Sequence, residues 1–193
     1  MRNQAGSVHF VGSFPQEWPV LGRPEVAFAG RSNVGKSSAL NCLLNNKKAA
    51  RVSRTPGRTQ AINLFEVGNA CAFADLPGYG FAKVPTHIQQ QWKSMVESYF
   101  SGREDLRLVV VLVDARRKPQ EMDGQLLFSL TESNIPTLVV ATKVDKLKAQ
   151  EKKKNLKALR DEFRLRGDQL IPFSSVTKVG RALVWDAIEK ACR

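Results

Sequence analysis

Residues 30–37 read Gly-Arg-Ser-Asn-Val-Gly-Lys-Ser, directly behind the apolar stretch Val26-Ala27-Phe28-Ala29 and directly ahead of Ser38-Ala39-Leu40-Asn41-Cys42-Leu43-Leu44. This is a strand, a glycine loop and a helix, with the spacing G-x-x-x-x-G-K-[ST] of a phosphate-binding loop. Gly30 and Gly35 let the backbone curl so that successive N–H groups point inward at phosphate oxygens. Lys36 reaches β- and γ-phosphates as a point charge, and the Ser37 hydroxyl is a Mg²⁺ ligand. The helix that starts near Lys36 adds the partial positive charge of its N-terminus. The candidate phosphate contacts are therefore Gly30, Arg31, Ser32, Asn33, Val34, Gly35, Lys36, Ser37 and Ser38.

From Glu25 onward, short apolar runs alternate with helical stripes. The runs are Val26–Ala29, Ala61–Val67, Ala70–Ala74, Leu106–Val113, Thr137–Ala141 and Gln169–Phe173, each bounded by turn residues. Helices are expected over Lys36–Leu44, Ile88–Phe100, Met122–Ser133 and Ala149–Arg166, with Leu183, Val184, Ala187, Ile188 and Ala191 marking a last one. Such alternation predicts an α/β fold of three layers, a mostly parallel sheet of about six strands with helices on both faces. Ligands of such sheets sit at the carboxyl ends of the strands, where the glycine loop falls. Residues 1–24 form an N-terminal extension in which Val8-His9-Phe10-Val11 reads as an edge strand, and 25–193 form one nucleotide-binding domain.

Composition narrows the partners. Among 193 residues, 30 Lys and Arg face 18 Asp and Glu, a net charge of +12. A nucleotide ligand does not require that excess, so a larger polyanion is implied, with RNA or DNA favoured over a membrane surface. Cys42, Cys71 and Cys192 are odd in number and scattered, which argues against a disulfide framework or a zinc site. The longest apolar run, Leu108–Val113, is too short to span a bilayer, and a soluble cytoplasmic protein is expected.

Three more motifs follow strand ends in order. Asp75-Leu76-Pro77-Gly78 puts a carboxylate where it holds Mg²⁺ through water and a glycine N–H where it meets a γ-phosphate. Thr142-Lys143-Val144-Asp145 offers a carboxylate to the N1–H and exocyclic amine of guanine, a donor pair adenine lacks, with the Lys143 stem along the base. Ser174-Ser175-Val176 supplies backbone N–H groups for guanine O6. In the polar stretch between, Thr59 can give Mg²⁺ a hydroxyl while the γ-phosphate holds its loop closed, with Gly57, Arg58, Gln60 and Ala61 as neighbouring contacts.

The set resembles the translation-factor-related GTPases. The fuller text, Ala29 to Ser38, Thr55 to Gln60 and Asp75-Leu76-Pro77-Gly78-Tyr79-Gly80, resembles the EngB family, also called YihA or YsxC, from about Val8 to the end. The stretch Asp114-x-Arg116-x-x-Pro119-x-x-x-Asp123 fits its pattern too, with Arg117 where His is expected. The resemblance implies a P-loop G domain and a monomeric GTPase binding GTP, GDP and Mg²⁺. It implies action in late assembly of the large ribosomal subunit, a partner of rRNA or ribosomal protein, and a link to cell division and septation.

Ras-like GTPases place a water-orienting glutamine after Asp-x-x-Gly, and here that position is Tyr79. Slow intrinsic hydrolysis is expected, carried by Lys36, Thr59 and Gly78 and completed by the partner. Asn33 has two readings, a K⁺ ligand as in related potassium-activated GTPases, or a turn-former in its own loop. Arg58 is either an arginine finger in cis or points away to solvent or RNA. The Lys- and Arg-rich segment from Lys146 to Arg166 is either a solvated helix face or an RNA contact, the latter favoured because few acids balance it. The rival readings are a GTP-dependent regulatory or scaffold protein for a division or membrane partner with incidental catalysis, and an ATP-using P-loop enzyme, against which Asp145 stands.

Overall fold

A strand buried on both faces needs an unbroken apolar run, and Leu108–Val113 supplies one. In the computed structural model, which describes residues 7–46, 49, 61–80 and 86–193, this run is the buried centre of the fifth strand, β5 (Leu106–Asp114). Leu108, Val110 and Leu112 point into one core, and Val109, Val111 and Val113 into another. The same alternation divides β2 (Glu25–Gly30), with Val26 and Phe28 on one side and Ala27 and Ala29 on the other.

The chain order is β1 (Val8–Phe14), β2, α1 (Lys36–Leu43), β3 (Ile62–Val67), β4 (Cys71–Asp75), α2 (Thr86–Ser101), β5, α3 (Glu121–Glu132), β6 (Thr137–Thr142), α4 (Ala149–Glu162), β7 (Leu170–Pro172) and α5 (Arg181–Ala191). The sheet runs β1-β3-β4-β2-β5-β6-β7. Strands β4, β2, β5, β6 and β7 are parallel, while β3 is antiparallel to β4 and β1 to β3. Val184, Trp185 and Ile188 of α5 join Leu40 and Leu43 of α1 in one core; Tyr99 of α2, Leu127 and Leu130 of α3 and Leu159 of α4 join the other. Three layers result, as the alternating pattern requires.

The sheet has seven strands where about six were expected, because the N-terminal edge strand joins it rather than standing apart. Phe10 reaches across to Phe65 with ring centroids 5.3 Å apart, a cross-strand aromatic pair that fixes the register. Helix α4 ends at Glu162, short of the predicted Arg166. Arg164 takes a left-handed φ of 51°, and the Leu165 N–H turns back to the Arg160 carbonyl at 2.9 Å, closing the helix. Leu183, counted on the apolar stripe of α5, is exposed, and the stripe is carried by Val184, Trp185 and Ile188. Cys71 is buried and Cys42 half-buried, with burial pushing the Cys42 thiol up.

One charged cluster lies inside. Glu25, at the start of β2, accepts from Arg103 Nη2 at 2.5 Å and Nε at 3.1 Å, and from the Tyr99 hydroxyl. Burial, and then the Glu25 charge, push the Tyr99 phenol well above its ordinary range, so it remains a donor. Arg103 also donates to the carbonyls of Trp18 at 3.0 Å and Pro19 at 3.1 Å, tying the irregular N-terminal connection to the sheet. Removing one member of such a cluster strands a buried charge. Arg103→Ala is expected to lower the unfolding free energy in urea by about 3–5 kcal/mol. A loss under about 1 kcal/mol would show the cluster to be dispensable.

Candidate nucleotide site

The parallel register brings Gly30, Asp75, Asp114 and Thr142, the last residues of β2, β4, β5 and β6, to one edge of the sheet. Ser174 follows β7 at the same edge, since β7 pairs in parallel with β6. The described motifs therefore share the edge of the sheet that carries the loop between β2 and α1.

The loop's shape is imposed from outside it. Gly35 has φ 105° and caps α1, a conformation L-residues with side chains avoid. The Thr142 hydroxyl lies 2.7 Å from the Val34 carbonyl and 3.1 Å from that of Val113, buried between the loop and β5. Lys143 Nζ donates to the Asn33 carbonyl at 2.6 Å and to Asp114 Oδ2 at 2.9 Å, its stem passing over Gly35. Burial would raise the Asp114 carboxyl, but hydrogen bonds from Arg116 and Lys143 outweigh it and hold it at about 2. Lys143 thus serves as a brace for the phosphate loop, a role its motif alone does not disclose. Asn33 adopts φ 64°, the conformation that the turn-former reading requires.

Beneath the loop, the Lys36 ammonium makes a close ion pair with Oδ1 of the nearly buried Asp75. Ser37, next in sequence, lies in the first turn of α1. A hydroxyl, a carboxylate and a lysine are a donor set for Mg²⁺ and phosphate together, since Mg²⁺ takes few protein ligands and completes its shell from phosphate and water. Among the described residues no cluster of His, Cys, Asp and Glu competes as a metal site. Gly57, Arg58, Thr59 and Gln60 lie outside the described residues, and Ala61, just before β3, is buried.

Past Asp75 the chain runs alongside the loop. Leu76 N–H donates to the Phe28 carbonyl at 3.0 Å, and Ser32 N–H to the Tyr79 carbonyl at 2.8 Å. A β-carbon at Gly78 would lie 3.0 Å from Ser32 Oγ and 3.2 Å from the Ser32 backbone, tighter than ordinary contact, so the close approach of the two segments favours glycine. Tyr79, at the position of a water-orienting glutamine, is turned inward. Its ring is buried with its centroid 5.0 Å from that of Trp92, and its hydroxyl donates to buried Asp123 on α3 at 2.7 Å. Trp92, on α2, is half-buried and donates its indole N–H to the Pro77 carbonyl at 2.8 Å. The Arg31 side chain leaves the loop for Gln120 Oε1 at 2.6 Å, so Arg31 offers the cleft its backbone rather than its charge.

At the far end, Ser174 is fully buried and donates to Asp145 Oδ1 at 2.7 Å. That bond is the largest influence holding the Asp145 carboxyl below its ordinary range. The Ser174 oxygen also accepts from the N–H groups of Val176 at 3.2 Å and Thr177 at 3.1 Å. Ser174 N–H is taken by the Val179 carbonyl at 3.1 Å. Of the three backbone donors expected from Ser174-Ser175-Val176, two are thus engaged inside the loop, and Ser175 N–H is the one without a partner among the described residues. The hydroxyl of Ser174, which the sequence reading did not use, is what aims Asp145.

Thr142→Val keeps the shape and deletes both hydroxyl contacts to the loop. It is expected to weaken nucleotide binding by about tenfold in a fluorescent-nucleotide titration. Unchanged affinity would show that the brace does not shape the cradle.

Comparison with known proteins agrees with this geometry. The family model described as 50S ribosome-binding GTPase matches residues 25–143. A probable GTP-binding protein EngB of Geobacter metallireducens is 47% identical over 188 residues, covering 96% of this chain and 92% of that protein. One from Ligilactobacillus salivarius is 45% identical over 176 residues, covering 91% and 90%. The crystal structure of a probable GTP-binding protein engB superposes with a TM-score of 0.74 at 26% identity, covering 88% of this chain and 98% of the other. The loop, the Asp75 and Asp145 strand ends and these relatives converge, and the chain belongs to the EngB family of P-loop GTPases.

Proposed function

We propose that this GTPase is a switch in assembly of the large ribosomal subunit, hydrolysing GTP slowly alone and faster on its ribosomal partner. The observation that carries the guanine half is the Asp145 carboxylate, ionised and aimed by Ser174 at the end of a cleft whose other end holds Lys36 and Asp75. The ribosomal half is supported by the description of the matching family and by the charge of +12. In this reading Gly30 to Ser38, Gly57 to Ala61 and Asp75 to Gly78 surround the phosphates, and Thr142 to Asp145 with Ser174 to Val176 surround the base. Mg²⁺ bound by Ser37, Thr59 and, through water, Asp75 supplies neutralisation of phosphate charge.

The chain's own groups then act as follows. Lys36 exchanges its Asp75 partner for phosphate oxygens. Gly78 N–H donates to the γ-phosphate, and the bonds of Tyr79 to the loop and to α3 fix where that N–H points. The Tyr79 hydroxyl is buried with its hydrogen committed to Asp123, which leaves no base there for an attacking water, so in this reading acceleration is left to the partner. Asn33, exposed on the loop, is the candidate K⁺ ligand. In this reading the protein works as a monomer in the cytoplasm and shares its family's link to division and septation. Among the described residues no helix is long and apolar enough to cross a membrane.

A second reading, a GTP-dependent regulator of a division or membrane partner with incidental catalysis, draws on the same buried Tyr79. GTP turnover in K⁺ and in Na⁺, with and without large ribosomal subunits, separates them. Stimulation by subunits is expected, with a further rise specific to K⁺. Turnover indifferent to subunits in both salts would favour the second reading.

A further inference from the structure

A groove of about 720 Å³ lies between residues 117–119 and α4. Arg117, Lys118, Lys154 and Arg164 line it, and none of the four forms an ion pair with a described residue. Asp161 and Glu162 line it too, but Asp161 is held by Lys157 at 2.5 Å, a cation that is not in the lining. Like charges gathered around a concave surface repel one another and favour an anionic occupant. The only apolar lining is Pro119 and Ala158, too little to insert into lipid.

We infer that this groove is a docking surface for the RNA backbone, a deepening that rests on the ribosomal reading above. Two guanidinium groups and two ammonium groups fit phosphates, the guanidinium fork bidentately. The mixed lining suits RNA better than an acidic peptide, because Asp161, Glu162 and Asn155 beside the cations can accept from ribose 2′-hydroxyls, whereas an acidic peptide would meet the two carboxylates with like charge. One wall of the groove is also fastened to the nucleotide cleft at both ends. Asp114 accepts from Lys143, Gln120 accepts from the phosphate-loop residue Arg31, and Asp123 accepts from Tyr79. These three contacts hold the segment that carries Arg117 and Lys118 against the nucleotide cleft.

The test uses the full chain, a fluorescein-labelled single-stranded RNA of mixed sequence and the DNA of the same sequence, read by anisotropy over a salt series. Wild type is expected to favour the RNA. The triple variant R117Q/K118Q/K154Q is expected to bind the RNA about tenfold or more weakly, with a log–log salt slope lower by roughly two, while GTP turnover without a partner is unchanged. A control removing as much charge elsewhere, R107Q/K190Q/R193Q, is expected to keep the wild-type slope. Wild-type RNA binding by the groove variant, or an equal loss in the control, would overturn the assignment. Co-sedimentation with large ribosomal subunits separates the two proposals. If wild type and the triple variant co-sediment alike, the groove fails and the ribosomal reading stands. If wild type does not co-sediment, the ribosomal reading fails and the oligonucleotide series still decides the groove.

Discussion

The phosphate loop depends on two side chains that are not in it. A chain of backbone N–H groups curled around an anion carries mutually repelling dipoles and needs external restraint to hold its shape. Thr142 and Lys143 supply it from the end of β6, one contacting the Val34 carbonyl and the other donating to the Asn33 carbonyl. Because β6 runs parallel to β5 and β5 to β2, the register of the central sheet sets where those contacts fall. The alternation of β5 between two cores is thus the remote cause of the cradle's geometry. A one-residue slip would turn every core residue of that strand to the opposite face.

The same economy governs the segment after β4. A strand that ends in Asp75 delivers a carboxylate to Lys36, and the next four residues extend alongside the loop through the Leu76 and Ser32 bonds. Tyr79 closes that extension by burying its ring and donating its hydroxyl hydrogen bond to Asp123. Burial, and then the Asp123 charge, keep that phenol far above its ordinary range, so it stays protonated at neutral pH and is no base toward water. Chemistry is given up at this position and coupling to α3 is gained.

Much of this was legible from residues alone. Glycines at 30 and 35 with Lys36 admit few structures, and carboxylates just past two strand ends, Asp75 and Asp145, are hard to place otherwise. What stayed hidden were interactions between residues far apart in sequence. Nothing in the spacing of Ser174 shows its hydroxyl joining Asp145 to the backbone of Val176 and Thr177. Trp92 reads as an apolar stripe residue because periodicity reports which face is buried and not what an indole N–H finds there. The early stop of α4 was missed because Arg164 in the left-handed region carries no glycine signal.

The most direct measurement is nucleotide preference in the Asp145→Asn protein against wild type. An aspartate that reads guanine predicts that wild type prefers GTP to ATP. In the variant, GTP affinity should drop at least about tenfold while xanthosine triphosphate binding rises. Unchanged GTP affinity in the variant would contradict base reading by Asp145 and, with it, the guanine-nucleotide switch.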